Sequence, residues 1–244
     1  MTIRDVLVYV DDTPAGRSRA EAAVRLADRH QARIVGVFLQ SEFNQSFWAA
    51  DAVAYAAAID IGRIIREHDQ AVSKACDAAR QTFEALAADR GIASEWLVIN
   101  GDTDGPLTDL ARRFDLLVIP IRARPLLSEN VVTAAGIALS SGGPVLALPD
   151  AGYPVELGHR VMVAWKNSRE AARALRDAWP LLAAAQEVHI VCVSEDGELN
   201  PDGDLQRHFE RHGIKAKLIV IDETDMPPSE ALFEEAVRLN ADLT

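Results

Sequence analysis

The sequence predicts an α/β fold built from two tandem copies of one unit, the second shorter than the first. Three observations carry that expectation. Apolar, β-branched runs alternate with helical patterns along the chain, the order that βαβ units and a parallel sheet require. The stretch Asp5–Thr13, DVLVYVDDT, runs from a continuous apolar strand straight into an acidic turn. That stretch then recurs: Val161–Ser168, VMVAWKNS, aligns with Val6–Thr13 at a constant offset of 155 residues.

Composition narrows the classes. At 244 residues and 49% hydrophobic content the chain has material for two ordinary cores. It holds no run of about 18 apolar residues, so no membrane span is expected. The start, MTIRDVLVYVDD, has no basic-then-apolar leader pattern. Two cysteines, Cys76 and Cys192, make no disulfide framework and suit a reducing cytoplasm. A formal charge of −12 and a pI near 4.9 exclude a basic grip on nucleic acid.

The first unit is expected over residues 1–150. Val6–Val10 is apolar at every position, as in a strand covered on both faces. Asp11-Asp12-Thr13-Pro14 is a turn and cap. Ala20, Ala23, Val24 and Ala27 then recur at i, i+3, i+4 and i+7, one helical face. Arg17, Arg19, Glu21, Arg25 and Asp28 are assigned mostly to the wet side. Ala32–Leu39 is the second strand. Ser41–Glu67 carries Phe43, Phe47, Trp48 and Tyr55 on a partly helical pattern that Gly62 is expected to interrupt. A second helix, with Ala71, Val72, Ala75, Ala79, Phe83 and Leu86 inward, runs to about Asp89 and stops at Gly91. Glu95–Ile99 is the third strand and Gly101–Pro106 a turn. Leu107–Phe114 is a short helix and Leu116–Ile121 the fourth strand. Arg122–Leu127 reads as a loop, Glu129–Ser140 as a helix and Pro144–Leu148 as the fifth strand.

Asp150–Pro154 is the linker to a partial second unit over 151–244. The repeated strand opens it, and a helix comes next with Ala171, Ala174, Leu175 and Ala178 at the same spacing. Glu187–Val193 and Ala216–Ile221 are strands, while Asp202–His212 and Ser229–Leu239 are helices. Asp242-Leu243-Thr244 matches Asp115-Leu116-Leu117, where the first unit's fourth strand begins. The second unit is therefore expected to lack its fourth strand, fourth helix and fifth strand. Part of Val161–Trp165 is expected to face water with an unpaired edge, for a second subunit or a longer gene product to cover.

These marks together resemble a tandem bacterial universal stress protein. The V-D-x-[ST] turn at Val10–Thr13, the string VAWKNSREAARAL at Val163–Leu175, Gly101-Asp102, and the closing PVLALP at Pro144–Pro149 carry the likeness, which spans the chain. It implies an adenine-nucleotide-alpha-hydrolase-like sheet of five parallel strands in the order 3-2-1-4-5. It further implies pairing of two copies through the fifth strand, and ATP or AMP as ligand in some members. The acid at Asp11 would then bond the nucleoside, and Val37 would line the base pocket.

The phosphate side departs from that pattern. Nucleotide-binding members carry G-x2-G-x9-G-[ST] after the fourth strand, where missing Cβ atoms let backbone N–H groups reach phosphates. Here Ile121 and Arg124 replace the first two glycines, and no glycine stands between Gly105 and Gly136. Pro120 and Pro125 remove two further donors. Asp11 also suits a turn that caps the next helix, and both readings stand. Lys166 and Asn167 replace the acidic turn in the second unit. The expectation is a cytoplasmic, self-associating binding protein with a degenerate nucleotide site. The alternative is slow ATP hydrolysis on contacts built from Arg122, Arg124 and the helix after Leu127.

Other constellations are weaker. His208 and His212 stand four apart on a predicted helix, but no third ligand is evident, so no metal is assigned. Asp102 and Asp104 open like a calcium loop that lacks its closing glutamate, and are assigned to a helix entry. The G-x-S-x-G elbow of α/β hydrolases is absent. No catalytic residue is assigned.

Overall fold

The computed structural model describes residues 2–41, 61–101, 103–154, 156–194, 203–222 and 226–244. The chain divides into two compact units, one of Ile3–Gly152 and one built on Tyr153–Thr244.

In the first unit β1 (Asp5–Tyr9), β2 (Arg33–Gln40), β3 (Ser94–Asn100), β4 (Leu116–Pro120) and β7 (Val145–Leu148) form one sheet. Its order is β3-β2-β1-β4-β7, and each neighbouring pair is parallel. Helices cover both faces, which is why the inner strands are apolar throughout rather than alternating. Helices α1 (Pro14–His30) and α2 (Ile61–Asp89) pack on β1, β2 and β3, while α3 (Asp104–Ala111) packs against α4 (Ala134–Ser141). Val6, Leu7 and Val8 are fully buried in consequence.

Local chemistry sets the element ends. Thr13 caps α1, its Oγ1 accepting from the Gly16 N–H at 2.9 Å. Pro14 occupies the first turn, where its missing N–H costs nothing. Gln31 closes α1 in the left-handed region, with its N–H bonded to the last turn. Asp115 ties the foot of β4 to β1, its Oδ2 accepting from the Arg4 and Asp5 N–H groups at 2.8 and 3.0 Å. Gly36 lets two rings reach β2, since a Cβ there would lie 2.8 Å from both Phe83 and Trp96.

The helix that Gly62 is expected to interrupt lies before Ile61, outside the described residues, and α2 is described from Ile61 to Asp89. The aromatic segment's Phe43, Phe47, Trp48 and Tyr55 lie outside the described residues. Three expectations need correction. The turn at Gly101–Pro106 is shorter than expected, because α3 already begins at Asp104. Arg122–Leu127 is not all loop, and no helix starts at Glu129. Two short strands, β5 (Arg122–Ala123) and β6 (Val132–Thr133), pair antiparallel, and α4 begins only after them.

The second unit has a three-stranded parallel sheet in the order β10-β9-β8, from β8 (Arg160–Ala164), β9 (Glu187–Val193) and β10 (Ala216–Ile221). Its helices are α5 (Arg169–Asp177), α6 (Trp179–Ala184), α7 (Asp204–Arg211) and α8 (Pro228–Arg238). Ser168 caps α5 by accepting from the Ala171 N–H at 3.1 Å. The edge of β8 is not bare: Leu243 forms a parallel bridge to Val161, and the Met162 N–H donates to its carbonyl at 2.9 Å. Asp242 accepts from the N–H groups of Gly158, His159 and Arg160 at 2.7 to 3.1 Å. Val161 and Met162 are buried, so the exposure expected of this strand begins only beyond them.

Candidate functional site

The carboxyl end of the first sheet has a topological switch point. From β1 the chain crosses through α1 to β2, and from β4 it crosses through α4 to β7 on the other side. Open α/β sheets bind ligands where such crossovers diverge. Asp11 succeeds β1 there, and the segment Ile121–Thr133 succeeds β4.

Asp11 is held inward. Its Oδ2 accepts from Arg19 Nη2 at 2.5 Å, and its Oδ1 accepts from both the hydroxyl and the backbone N–H of Thr13. Arg19 is 1% exposed and Asp11 21% exposed, so the guanidinium is the more deeply desolvated partner. Arg19 also donates from Nε to the Tyr9 carbonyl at 2.8 Å and lies over the Tyr9 ring. Burial pushes the Tyr9 hydroxyl above its usual range, and the Asp11 charge adds to that. A Cβ on Gly16 would collide with the Asp11 carboxylate and carbonyl, so a glycine opens α1 at this turn.

Arg19 is the residue that sequence reasoning misses, because its charge assigns it to the wet side of α1. The signal is its position: Gly16, Arg19, Ala20 and Ala23 fit the i, i+3, i+4, i+7 rule, and all four are buried. The cap expected of Asp11 belongs to Thr13, with Asp11 in turn bonding Thr13.

Val37 is fully buried beside this turn. Its carbonyl accepts from the Val10 N–H at 2.9 Å, and its side chain belongs to an apolar cluster with Tyr9, Leu107, Ile119 and Ile137. Ala123 and Val132 belong to that same cluster. The short hairpin thus turns side chains into the core beyond the end of β4. Arg122 and Arg124 are exposed beside it. The Ser41 hydroxyl donates to the Leu126 carbonyl, which joins the hairpin loop to the end of β2. Leu127 adopts φ 59°, a left-handed conformation that costs a branched residue about 1–2 kcal/mol. Pro120 and Pro125 carry no N–H here, and the side chains of Ala123 and Val132 are buried in the core.

The remaining candidates resolve separately. Asp104 sits in the first turn of α3, and its Oδ1 is buried with no hydrogen-bond partner among the described residues. Asp102 lies outside the described residues. Burial pushes the thiols of Cys76 and Cys192 up, the reverse of an activated nucleophile. Among the described residues no group of three or more His, Cys, Asp or Glu is placed to hold a metal. His208 and His212 lie beside Trp179, with ring centroids 5.4 and 4.8 Å from the indole. No helix of the described residues is long and apolar enough to cross a membrane.

A parallel sheet with helices on both faces and a loop-lined switch point defines an open, doubly wound α/β fold. In fold the chain is similar to the universal stress protein from Archaeoglobus fulgidus DSM 4304, with a TM-score of 0.70 at 20% identity over 97% of this chain and 84% of that one. It is also similar to universal stress protein UspA from Lactobacillus plantarum, at TM-score 0.44 and 18% identity over 61% and 99% of the two chains. A universal stress protein in complex with cAMP matches at TM-score 0.40 and 15% identity, over 62% and 100%. The chain matches no protein-family model and no curated protein sequence.

Proposed function

We propose that this chain is a universal stress protein made of one complete unit and a partial second copy. It acts in the cytoplasm by regulatory or protective binding rather than by turnover. Its nucleotide site is degenerate: Asp11 and Val37 stand where the nucleoside wall would be, but the phosphate seat is gone. The observation that carries this reading is the β5–β6 hairpin, which puts Ala123 and Val132 into the core cluster in place of a glycine loop. The engagement of both Asp11 carboxylate oxygens by Arg19 and Thr13 supports it.

The tandem reading draws support from local detail. Thr13 and Ser168, 155 residues apart, cap α1 and α5 through the same N–H three residues on. Asp115 and Asp242 both anchor a β-strand foot by accepting from consecutive backbone N–H groups. Self-association would run along β7, whose only sheet neighbour among the described residues is β4. Calorimetry of the full chain with Mg·ATP, AMP and cAMP tests the site. The expected result is no binding below about millimolar, a free energy weaker than about −4 kcal/mol. Micromolar affinity for any of the three would overturn it.

A further inference from the structure

The second unit holds a pair of imidazoles that the proposed function does not use. His208 lies in the last turn of α7 and His212 caps its end, four residues on. Both are exposed, and their ring centroids are 4.9 Å apart. Two imidazoles on one metal ion, with metal–nitrogen bonds of about 2.0–2.1 Å and a near-tetrahedral angle, have centroids about 5 Å apart. The centroid separation of the pair is therefore compatible with a shared ion.

The pair is also held in place. Trp179 stands edge-on to both imidazoles. The indole packs in turn against Phe209, which is fully buried, with centroids 5.2 Å apart. The core thus fixes the indole, and the indole walls one side of the histidine pair. Rotamers held by packing lose less freedom on binding an ion than free surface histidines do.

We propose that His208 and His212 form an open site for a late first-row divalent cation, with solvent supplying the remaining ligands. Imidazole suits zinc, copper and nickel, and for such ligands affinity rises towards copper. Among the described residues no third His, Cys, Asp or Glu joins them, which argues against a closed structural site but not against an open one. This inference does not depend on the reading of the first unit.

The test uses the untagged full chain with Ni²⁺ and Cu²⁺, and Zn²⁺ as competitor. Equilibrium dialysis is expected to find a single tight ion per chain at micromolar concentration, and tryptophan fluorescence to quench saturably in step with it. Loss of an outer-shell partner alone lowers metal affinity by about 10–100-fold, so His212→Ala, which removes a direct ligand, should cost at least about 100-fold. His208→Ala should do the same. Trp179→Phe should keep the bound ion while losing most of the saturable quench, since the reporter is gone and the ligands remain. Unchanged affinity in the His208→Ala/His212→Ala double variant would overturn the assignment. So would a wild-type chain that binds no ion below millimolar.

Discussion

Deleting either partner of the Arg19–Asp11 pair should not cost the same. Arg19 is the buried partner; without Asp11 its charge retains, from the bonds described, only the Tyr9 carbonyl. Leaving one charge of a buried pair unmatched costs about 3–5 kcal/mol, and the partial exposure of Asp11 points to the lower end. Asp11→Ala is therefore expected to destabilise by about 3 kcal/mol, the loss of its Thr13 bonds included. Arg19→Met removes the charge but keeps a long apolar stem. Asp11 then still accepts from Thr13 and reaches water, so that variant should cost about 1–1.5 kcal/mol. The double variant has no stranded charge and should lie near Arg19→Met. The implied coupling is about 3 kcal/mol, at the upper end of the range for residues in direct contact. Urea unfolding of all four chains at one pH measures this, provided the m-value is unchanged. Equal costs for the two single variants, or a double variant whose cost is their sum, would refute the assignment of Arg19 as the desolvated partner.

Gly36→Ala tests the close approach at β2: its new Cβ would sit 2.8 Å from the rings of Phe83 and Trp96. Overpacking of this kind should cost about 1–3 kcal/mol, read as a lower thermal midpoint, and an unchanged midpoint would show that the rings yield freely. In the second unit, His189 in β9 is buried, and that burial lowers its pKa below the ordinary 6.5. Lys217 and Arg238 add to the shift, while Glu187 and Glu235 oppose it. A lowered native value means that stability is present above 6.5 and is lost as pH falls from there through the native value. Denaturation midpoints should therefore decline below that pH, and His189→Gln should flatten the decline. An equally steep decline in the variant would assign it to other groups.

Much of the fold is legible in the sequence because its signals are local. The all-apolar runs of β1 and β4 report burial on both faces, and Thr13-Pro14 announces α1. The features that escape lack local pattern. Strands β5 and β6 have two residues each and exist through pairing across an eight-residue gap, so no periodicity marks them. Thr133 caps α4, but Glu129 sits nearer the loop and draws the expected helix start five residues too early. At the site, the lost glycines are readable directly, since only glycine removes the Cβ. Arg19 is not, because charge outweighs position in assigning its face.

The sequence match at an offset of 155 residues supplies a comparison for that pair. Shifted by 155 residues, Asp11, Gly16 and Arg19 become Lys166, Ala171 and Ala174, while the cap residue Thr13 becomes Ser168. The cap bond is kept at both places, so the turn itself does not require the acid. With a lysine in the turn there is no carboxylate for an arginine to hold, and none for a Cβ to strike. Ala171 and Ala174 then stand where Gly16 and Arg19 were needed. The three positions change together, as they should if Gly16 and Arg19 serve Asp11 rather than the helix. Introducing Lys166→Asp alone would therefore place a carboxylate against Ala171 with no cation at Ala174, and the fold of that turn should tolerate it less well than Lys166→Ala. A tolerance equal for both, measured by urea unfolding, would mean that the three residues in the first unit are independent accidents of sequence.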